Sequence, residues 1–306
     1  MKYIQLNNTD LNISPICLGT AGFGDKSDLE KSFEILNAFV RAGGNFIDTA
    51  NVYCKWLKGH GNCSEQIIGK WLKESGMQGK VIVATKGAHY SFEDPGRSRV
   101  NKEDIRMDLD ESCRTLGKDE MDFYWLHRDD PEKPAEEIVD ILEDLQKEGR
   151  IRYFGFSNYR TERLKEIQKC LKERNHPGIT AVSNQWSLAG INPGGNTNPD
   201  PTLVEFSREE YKWHCETGTA SIPFSSTAMG FFSKLQKMGV PCTEEVDVSW
   251  MQAMEAQIAD LSESMKKSYW NETNLRTYQK LLKLQKETGH SLQSLSLAYF
   301  FHQPFQ

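Results

Sequence analysis

Short apolar runs rich in β-branched and aromatic residues alternate along the chain with longer stretches whose apolar residues recur every three to four positions. The first pattern predicts buried strands and the second amphipathic helices. An opening hairpin is predicted from KYIQL, a turn at NNTD and LNIS. Strands then follow over 15–20, 45–50, 80–87, 121–128, 152–158, 179–188 and 219–226. Helices are predicted between them over 28–44, 63–75, 101–117, 135–149, 161–174 and 202–218. Asn101 supplies an N-cap for the third helix, Asn62 or Ser64 one for the second, and Gly76 stops that second helix. The acidic stretch 243–266 and the segment 291–303 also read as helical.

Seven βα alternations in a row imply a parallel sheet with right-handed crossovers. Two architectures satisfy that pattern, an open doubly wound sheet and a closed (β/α)₈ barrel. The open sheet usually carries G-x-G-x-x-G after its first strand. Here GTAGFG follows that strand with a different spacing, which suits a loop at a barrel mouth better. The Pro/Gly/Asn stretch 190–201 is too short for a domain linker, so residues 1–306 are expected to form a single barrel domain.

Composition narrows the function classes. The net charge is −6, and a nucleic-acid binder would carry a basic excess. No apolar run approaches membrane-spanning length, and MKYIQLNNTDL lacks the apolar core of a secretory signal. The seven cysteines are scattered and never form a C-x-x-C pair. That usage predicts free thiols in a reducing compartment, hence a cytoplasmic protein. Cys54, His60 and Cys63 share one loop, but their spacing matches no zinc pattern, so no metal is expected.

Polar residues at predicted strand ends carry the chemistry. A buried strand has no use for an ionisable side chain unless it is paired or functional. Strand two ends in Asp48 with Tyr53 five residues on, strand three ends in Lys86, and strand four in His127. Ser157 and Asn158 end strand five, and strand six carries Asn184 and Gln185. Singly each has a bland reading as a cap, a packed ring or a surface charge. Together, on successive strands of a barrel, they converge on one mouth.

The segments SPICLGTAGFG, NFIDTANVY, SEQIIGKWL, VIVATKG, DFYWLHRDDP, GRIRYFGFSN, SNQWSL and SSTAMGFFS occur in this order over nearly the whole chain. This set resembles the aldo-keto reductase family. The resemblance implies an α/β fold, a (β/α)₈ TIM barrel with an N-terminal β-hairpin, and an oxidoreductase that reduces an aldehyde or ketone with NADPH, or alternatively NADH. It implies Asp48, Tyr53, Lys86 and His127 as the catalytic tetrad. Tyr53 is then the acid of carbonyl reduction, Lys86 stabilises its phenolate, Asp48 holds Lys86, and a neutral His127 orients the carbonyl oxygen. Cofactor contacts are implied for Gly19, Thr20, Asp48, Ser157, Asn158, Gln185, Phe224, Ser225, Thr227 and Gly230. Trp56, matching an aromatic of sugar-acting branches, His127 and Trp186 are implied at the substrate, with His89 near the mouth.

The chain departs from the family pattern at its C-terminal end. It stops at Pro304-Phe305-Gln306, where an eighth strand would begin, and the segment that binds the adenosine 2′-phosphate would follow. Seven strands are therefore expected, with apolar surface near Phe300 and Phe305. Two further readings stand beside the reductase: a non-catalytic cofactor-binding protein or inactive fragment, and a barrel enzyme using Lys86 as a Schiff-base nucleophile.

Overall fold

The computed structural model describes every residue except Pro199, in the predicted loop 190–201, and Glu244, in the acidic stretch 243–266. The chain separates into two compact units. The first comprises residues 1–184, 204–222 and 305–306, and the second residues 185–203 and 223–304.

In the first unit β1 (Ile4–Gln5) and β2 (Asn12–Ile13) form the expected antiparallel hairpin. The next strands are β3 (Leu18–Gly19), β4 (Phe46–Asp48), β5 (Ile82–Gly87), β6 (Met121–Leu126), β7 (Ile151–Ser157), β8 (Ala181–Ser183) and β9 (Ala220–Ser221). All seven are parallel and lie in sequential order, the order of a (β/α)₈ barrel. The crossover helices are α1 (Leu29–Arg41), α2 (Cys63–Ser75), α3 (Lys102–Leu116), α4 (Ala135–Lys147), α5 (Thr161–Glu173) and α6 (Arg208–Thr217).

Local sequence explains most boundaries. Asp28 and Asn101 cap α1 and α3 by accepting the backbone N–H groups of Lys31 and Asp104. Gly76 and Gly117 end α2 and α3 in the left-handed conformation. Asn62 precedes α2 without capping it: its side-chain oxygen accepts from the Gln66 amide, while its Nδ2 donates to Glu65 and Thr115.

Strand alternation sorts the side chains onto two faces. Val83, Tyr124, Leu126, Phe154, Phe156 and Val182 join the core between sheet and helices. Phe46, Ala84, Phe123, Trp125, Ala181 and Ala220 form a second cluster on the opposite face, where Leu6, Leu11 and Ile13 of the hairpin region also pack. The large Trp125 is accommodated by Gly155, where an added Cβ would lie 2.6 Å from the indole. At the free edge of β9, the Ser221 N–H donates to the Gln306 carbonyl, and the Gln306 side chain bonds to Gln5 and Asn7.

Gly69 fixes the approach of α2 to α3. A Cβ there would sit 2.0 Å from the Thr115 carbonyl oxygen, a backbone atom that cannot swing away. Gly69→Ala is expected to destabilise the protein by about 2–3 kcal/mol through forced separation of the two helices, read as a lower thermal midpoint.

The second unit holds the helices α7 (Phe231–Lys237), α8 (Val248–Ala253), α9 (Glu263–Tyr269), α10 (Glu272–Thr288) and α11 (Leu292–Ala298). Phe231, Leu235, Leu261, Tyr269, Leu275 and Tyr278 belong to its own core. The Asn274 amide accepts from the Gly190 N–H and donates to the Gly190 carbonyl, which pins the loop to α10. The acidic stretch is helical only in pieces, and α10 lies in a region with no predicted element. Its signals were nevertheless present, with Asn271 capping its start and Gly289 left-handed at its end. Among the described residues no helix is long and apolar enough to cross a membrane.

Candidate active site

Asp48 ends β4, Lys86 is the penultimate residue of β5, and His127 follows β6 directly. Parallel register brings them together. Asp48 pairs with Ala84, Lys86 with Trp125, and the His127 N–H donates to the Gly87 carbonyl. Lys86 shares a strand face with Ala84, two residues earlier, so its side chain follows that of a core residue. Tyr53 sits on the turns after β4, which are held by the Asn51 N–H on the Lys86 carbonyl and by the Lys55–Glu111 ion pair to α3.

The Lys86 ammonium, 3% exposed, has three partners for its three protons. It pairs with the Asp48 carboxylate and donates to the Thr49 carbonyl at 2.7 Å and to Tyr53 Oη at 3.3 Å. An amine so occupied and so charged is no Schiff-base nucleophile. Burial pushes the Lys86 pKa down, but Asp48 and Tyr53 together lift it above its ordinary value. Asp48 is in turn raised by burial against the lowering effect of Lys86.

Tyr53 departs from the simple expectation that a neighbouring lysine makes it more acidic. Burial outweighs the Lys86 cation, Asp48 adds to the effect of burial, and the phenol is raised above its ordinary 10.0. It is therefore held protonated at neutral pH, the form a proton donor needs. His127 is pushed well below its ordinary value by burial and by the nearby charges of Arg128, His89 and Lys86. It stays neutral, and its buried Nδ1 has no hydrogen-bond partner among the described residues. The Tyr53 and His127 rings stand edge to face with centroids 6.0 Å apart.

Aromatic rings continue outward from this pair. Trp56 lies 6.1 Å from Tyr53, and Phe92 lies 6.4 Å from Trp56. His89 lies 4.9 Å from His127 and 5.5 Å from Phe92, with Tyr90 beside both His89 and Phe92. Trp56 and Phe92 are 40% and 44% exposed, which leaves ring surface for a ligand to cover. Tyr90 and Phe92 were missed from sequence, although the run HYSF directly after a strand end was visible.

Thr20 is fully buried and holds the Asp48 carbonyl through both its N–H and its hydroxyl. It braces the carboxylate's backbone, while at the neighbouring Gly19 an added Cβ would meet nothing within 4 Å. Ser157 Oγ donates to the Ser183 carbonyl and accepts from Asn158 Nδ2. Asn158, left-handed at φ 63°, also donates to the His127 carbonyl and accepts from the Val204 N–H. The Ser157 and Asn158 oxygens each retain one lone pair, which suits the N–H donors of a carboxamide. Behind them Glu210 grips the Asn184 amide, whose oxygen accepts the Asn158 N–H. This support was not foreseen from sequence.

The remaining candidates lie in the second unit. Gln185 and Phe224 form an isolated parallel bridge, and the Trp186 N–H donates to the Phe224 carbonyl. The Trp186 indole packs against Tyr299 and Phe300, with centroids 5.6 and 4.9 Å away. Ser225, Ala228, Met229 and Gly230 all have positive φ, a run that bends the backbone around Thr227.

One sequence expectation is overturned. Cys54 and Cys63 are not free thiols; they form a disulfide with Cα atoms 5.7 Å apart. Their spacing of nine residues gave no sign of it, because the Tyr53 turns and the start of α2 meet only in the folded chain. The pairing occupies both sulfurs of the Cys54, His60 and Cys63 group that had been weighed as a metal site. The other five cysteines, Cys17, Cys113, Cys170, Cys215 and Cys242, are free.

Residues 15–306 match the model of the Aldo/keto reductase family, across both units. The chain is 32% identical over 194 residues to the uncharacterized oxidoreductase YrpG of Bacillus subtilis, covering 61% of this chain and 59% of that protein. It is 35% identical over 197 residues to an aryl-alcohol dehydrogenase [NADP(+)] of Phanerodontia chrysosporium, covering 58% and 49%. It is also similar to norsolorinic acid reductase B of Dothistroma septosporum, at 29% identity over 76% of this chain and 58% of the relative. The matches thus span about half to three fifths of these relatives' own lengths.

Proposed function

Because the chain belongs to the Aldo/keto reductase family, we propose that it reduces an aldehyde or ketone to the alcohol by hydride transfer from NADPH, with Tyr53 as the proton donor. The observation that carries this reading is Lys86, buried between the Asp48 carboxylate and the Tyr53 hydroxyl. A bound reduced nicotinamide supplies the hydride. As the carbonyl carbon accepts it, the C=O π pair moves to oxygen, and the Tyr53 O–H gives that oxygen its proton. Lys86 stabilises the phenolate left behind, and Asp48 keeps Lys86 charged and in place. Neutral His127 orients the carbonyl oxygen. Ser157 and Asn158 are the residues of the first unit whose oxygens suit the nicotinamide carboxamide. NADPH is favoured over NADH by the dehydrogenase relative named for NADP(+).

Trp56 by itself matches an aromatic of sugar-acting branches. The wider ring set of Trp56, Phe92, Tyr90 and His89 favours a flat aromatic carbonyl, since aromatic pairs add about 0.5–1.5 kcal/mol beyond the area they bury. The test compares initial rates for a substituted benzaldehyde and for glyceraldehyde, each with NADPH and with NADH. Higher kcat/KM is expected for the aryl aldehyde with NADPH. Phe92→Ala is expected to raise its KM about 3- to 10-fold, from loss of one ring contact. Absence of turnover with every carbonyl and both cofactors would sink the reading.

A further inference from the structure

The disulfide joins the residue after Tyr53 to the first residue of α2 and closes a loop that carries Trp56. We propose that Cys54 and Cys63 are a thiol–disulfide exchange site that takes a small dithiol reductant and fastens the Trp56 loop beside Tyr53. This inference rests on the assignment of Tyr53 and Trp56 to the active site.

Three features outside the bond itself mark the site as built. Gly24 leaves no room for a side chain beside the sulfurs, since a Cβ there would lie 2.4 Å from Cys63 Sγ and 3.1 Å from Cys54 Sγ. The Phe23 carbonyl oxygen lies 3.0 Å from Cys54 Sγ and 3.9 Å from Cys63 Sγ, so it can accept a hydrogen bond from a thiol formed on reduction. Cys54 has φ 77°, a left-handed backbone that persists in a residue with a side chain only when its surroundings hold it. The cross-link is one such restraint, and Tyr53 is the adjacent residue.

Lys55 ties the start of the loop to Glu111 and Asn62 ties its end to Glu65 and Thr115, which leaves the tip between them. Lys58, Gly59, His60 and Gly61 are exposed. The Trp56 indole N–H reaches Asp25 at 3.4 Å. Cys54 is fully buried and Cys63 half-buried, so an incoming thiolate meets Cys63 first. Its attack on Cys63 Sγ forms a mixed disulfide and breaks the Cys54–Cys63 bond, and Cys54 leaves as a thiolate that takes a proton from solvent. The second thiol of the reductant then attacks the mixed disulfide and releases Cys63, which is protonated in turn. Two electrons and two protons pass to the pair, and the dithiol becomes a cyclic disulfide.

The test uses the full chain oxidised with diamide and reduced with dithiothreitol. Alkylation under denaturing conditions is expected to find five thiols in the oxidised form and seven in the reduced form. Amide exchange in residues 53–62 should quicken at least about tenfold on reduction, since the local opening equilibrium loses its cross-link. KM for the aryl aldehyde should rise at least about fivefold as Trp56 loses its placement, with cofactor Kd unchanged. Cys63→Ser should match the reduced form in both readouts and ignore the reductant. Seven alkylated thiols after oxidation, or equal exchange in the two forms, would overturn the site. A change in exchange with identical KM in a turning-over enzyme would overturn its link to substrate. A change in exchange with no turnover in either form supports the exchange site and counts against the reductase reading instead.

Discussion

Tyr53→Phe is expected to lower kcat for carbonyl reduction by about 10³-fold, within the range general acids contribute, while cofactor Kd stays within twofold or so. The substitution removes one oxygen and leaves the ring that packs against Trp56 and His127. Lys86 keeps its bonds to Asp48 and Thr49. A loss of 10³ corresponds to about 4 kcal/mol of barrier, more than the packing of one hydroxyl supplies. The pH profile gives an independent check. Reduction needs the Tyr53 phenol protonated, and its pKa lies above 10.0, so the reduction rate should hold through neutral pH and fall only in strong alkali. Alcohol oxidation needs the phenolate, so its rate should climb with pH over 7–10. His127, held neutral, should add no limb near pH 6.5. Wild-type turnover in Tyr53→Phe would remove Tyr53 from the mechanism.

The Asp48–Lys86 pair should separate its catalytic from its structural role. Lys86→Met leaves the Asp48 carboxylate without its cation. Removing one partner of a buried pair typically costs about 3–5 kcal/mol, and the 19% exposure of the Asp48 side chain puts the expected loss at the low end. Asp48 would be pushed further up, because the main influence lowering its pKa is gone. Turnover should fall by about 10² or more, since nothing stabilises the phenolate as the proton leaves. The double variant Asp48→Asn/Lys86→Met should recover part of the stability in urea denaturation and none of the turnover. Recovery of both would mean that the pair serves folding alone.

The alternation of the chain by itself determined a parallel sheet with crossover helices, and left open sheet and barrel both standing. Each β-strand from β3 to β6 and each helix from α1 to α5 lies within a predicted segment, and β7 starts one residue ahead of its own, because period-2 and period-3.6 patterns are local properties of sequence. Residue type at strand ends likewise brought out Asp48, Lys86 and His127, since an ionisable group in a buried strand is conspicuous, and the family resemblance added Tyr53 on the loop after Asp48. Agreement weakened where backbone partners came from far away. β8 ends at Ser183 rather than 188, because Asn184 turns its amide to Glu210 and Tyr159. α6 starts at Arg208 rather than 202, capped by Ser207, while Val204 is drawn aside by Asn158.

What only the tertiary structure decided depends on distances between segments remote in sequence. The direction of the Tyr53 shift is set by how much water the fold removes, which outweighs the visible lysine. The ring set around Trp56 and Phe92 requires the ends of β4 and β5 to be adjacent. The Cys54–Cys63 bond requires the Tyr53 turns to meet the start of α2 over a glycine. Sequence singled out the candidate groups because residue type and position are intrinsic to it. Their protonation, their neighbours and their cross-link belong to the fold, because burial and proximity are properties of the whole chain.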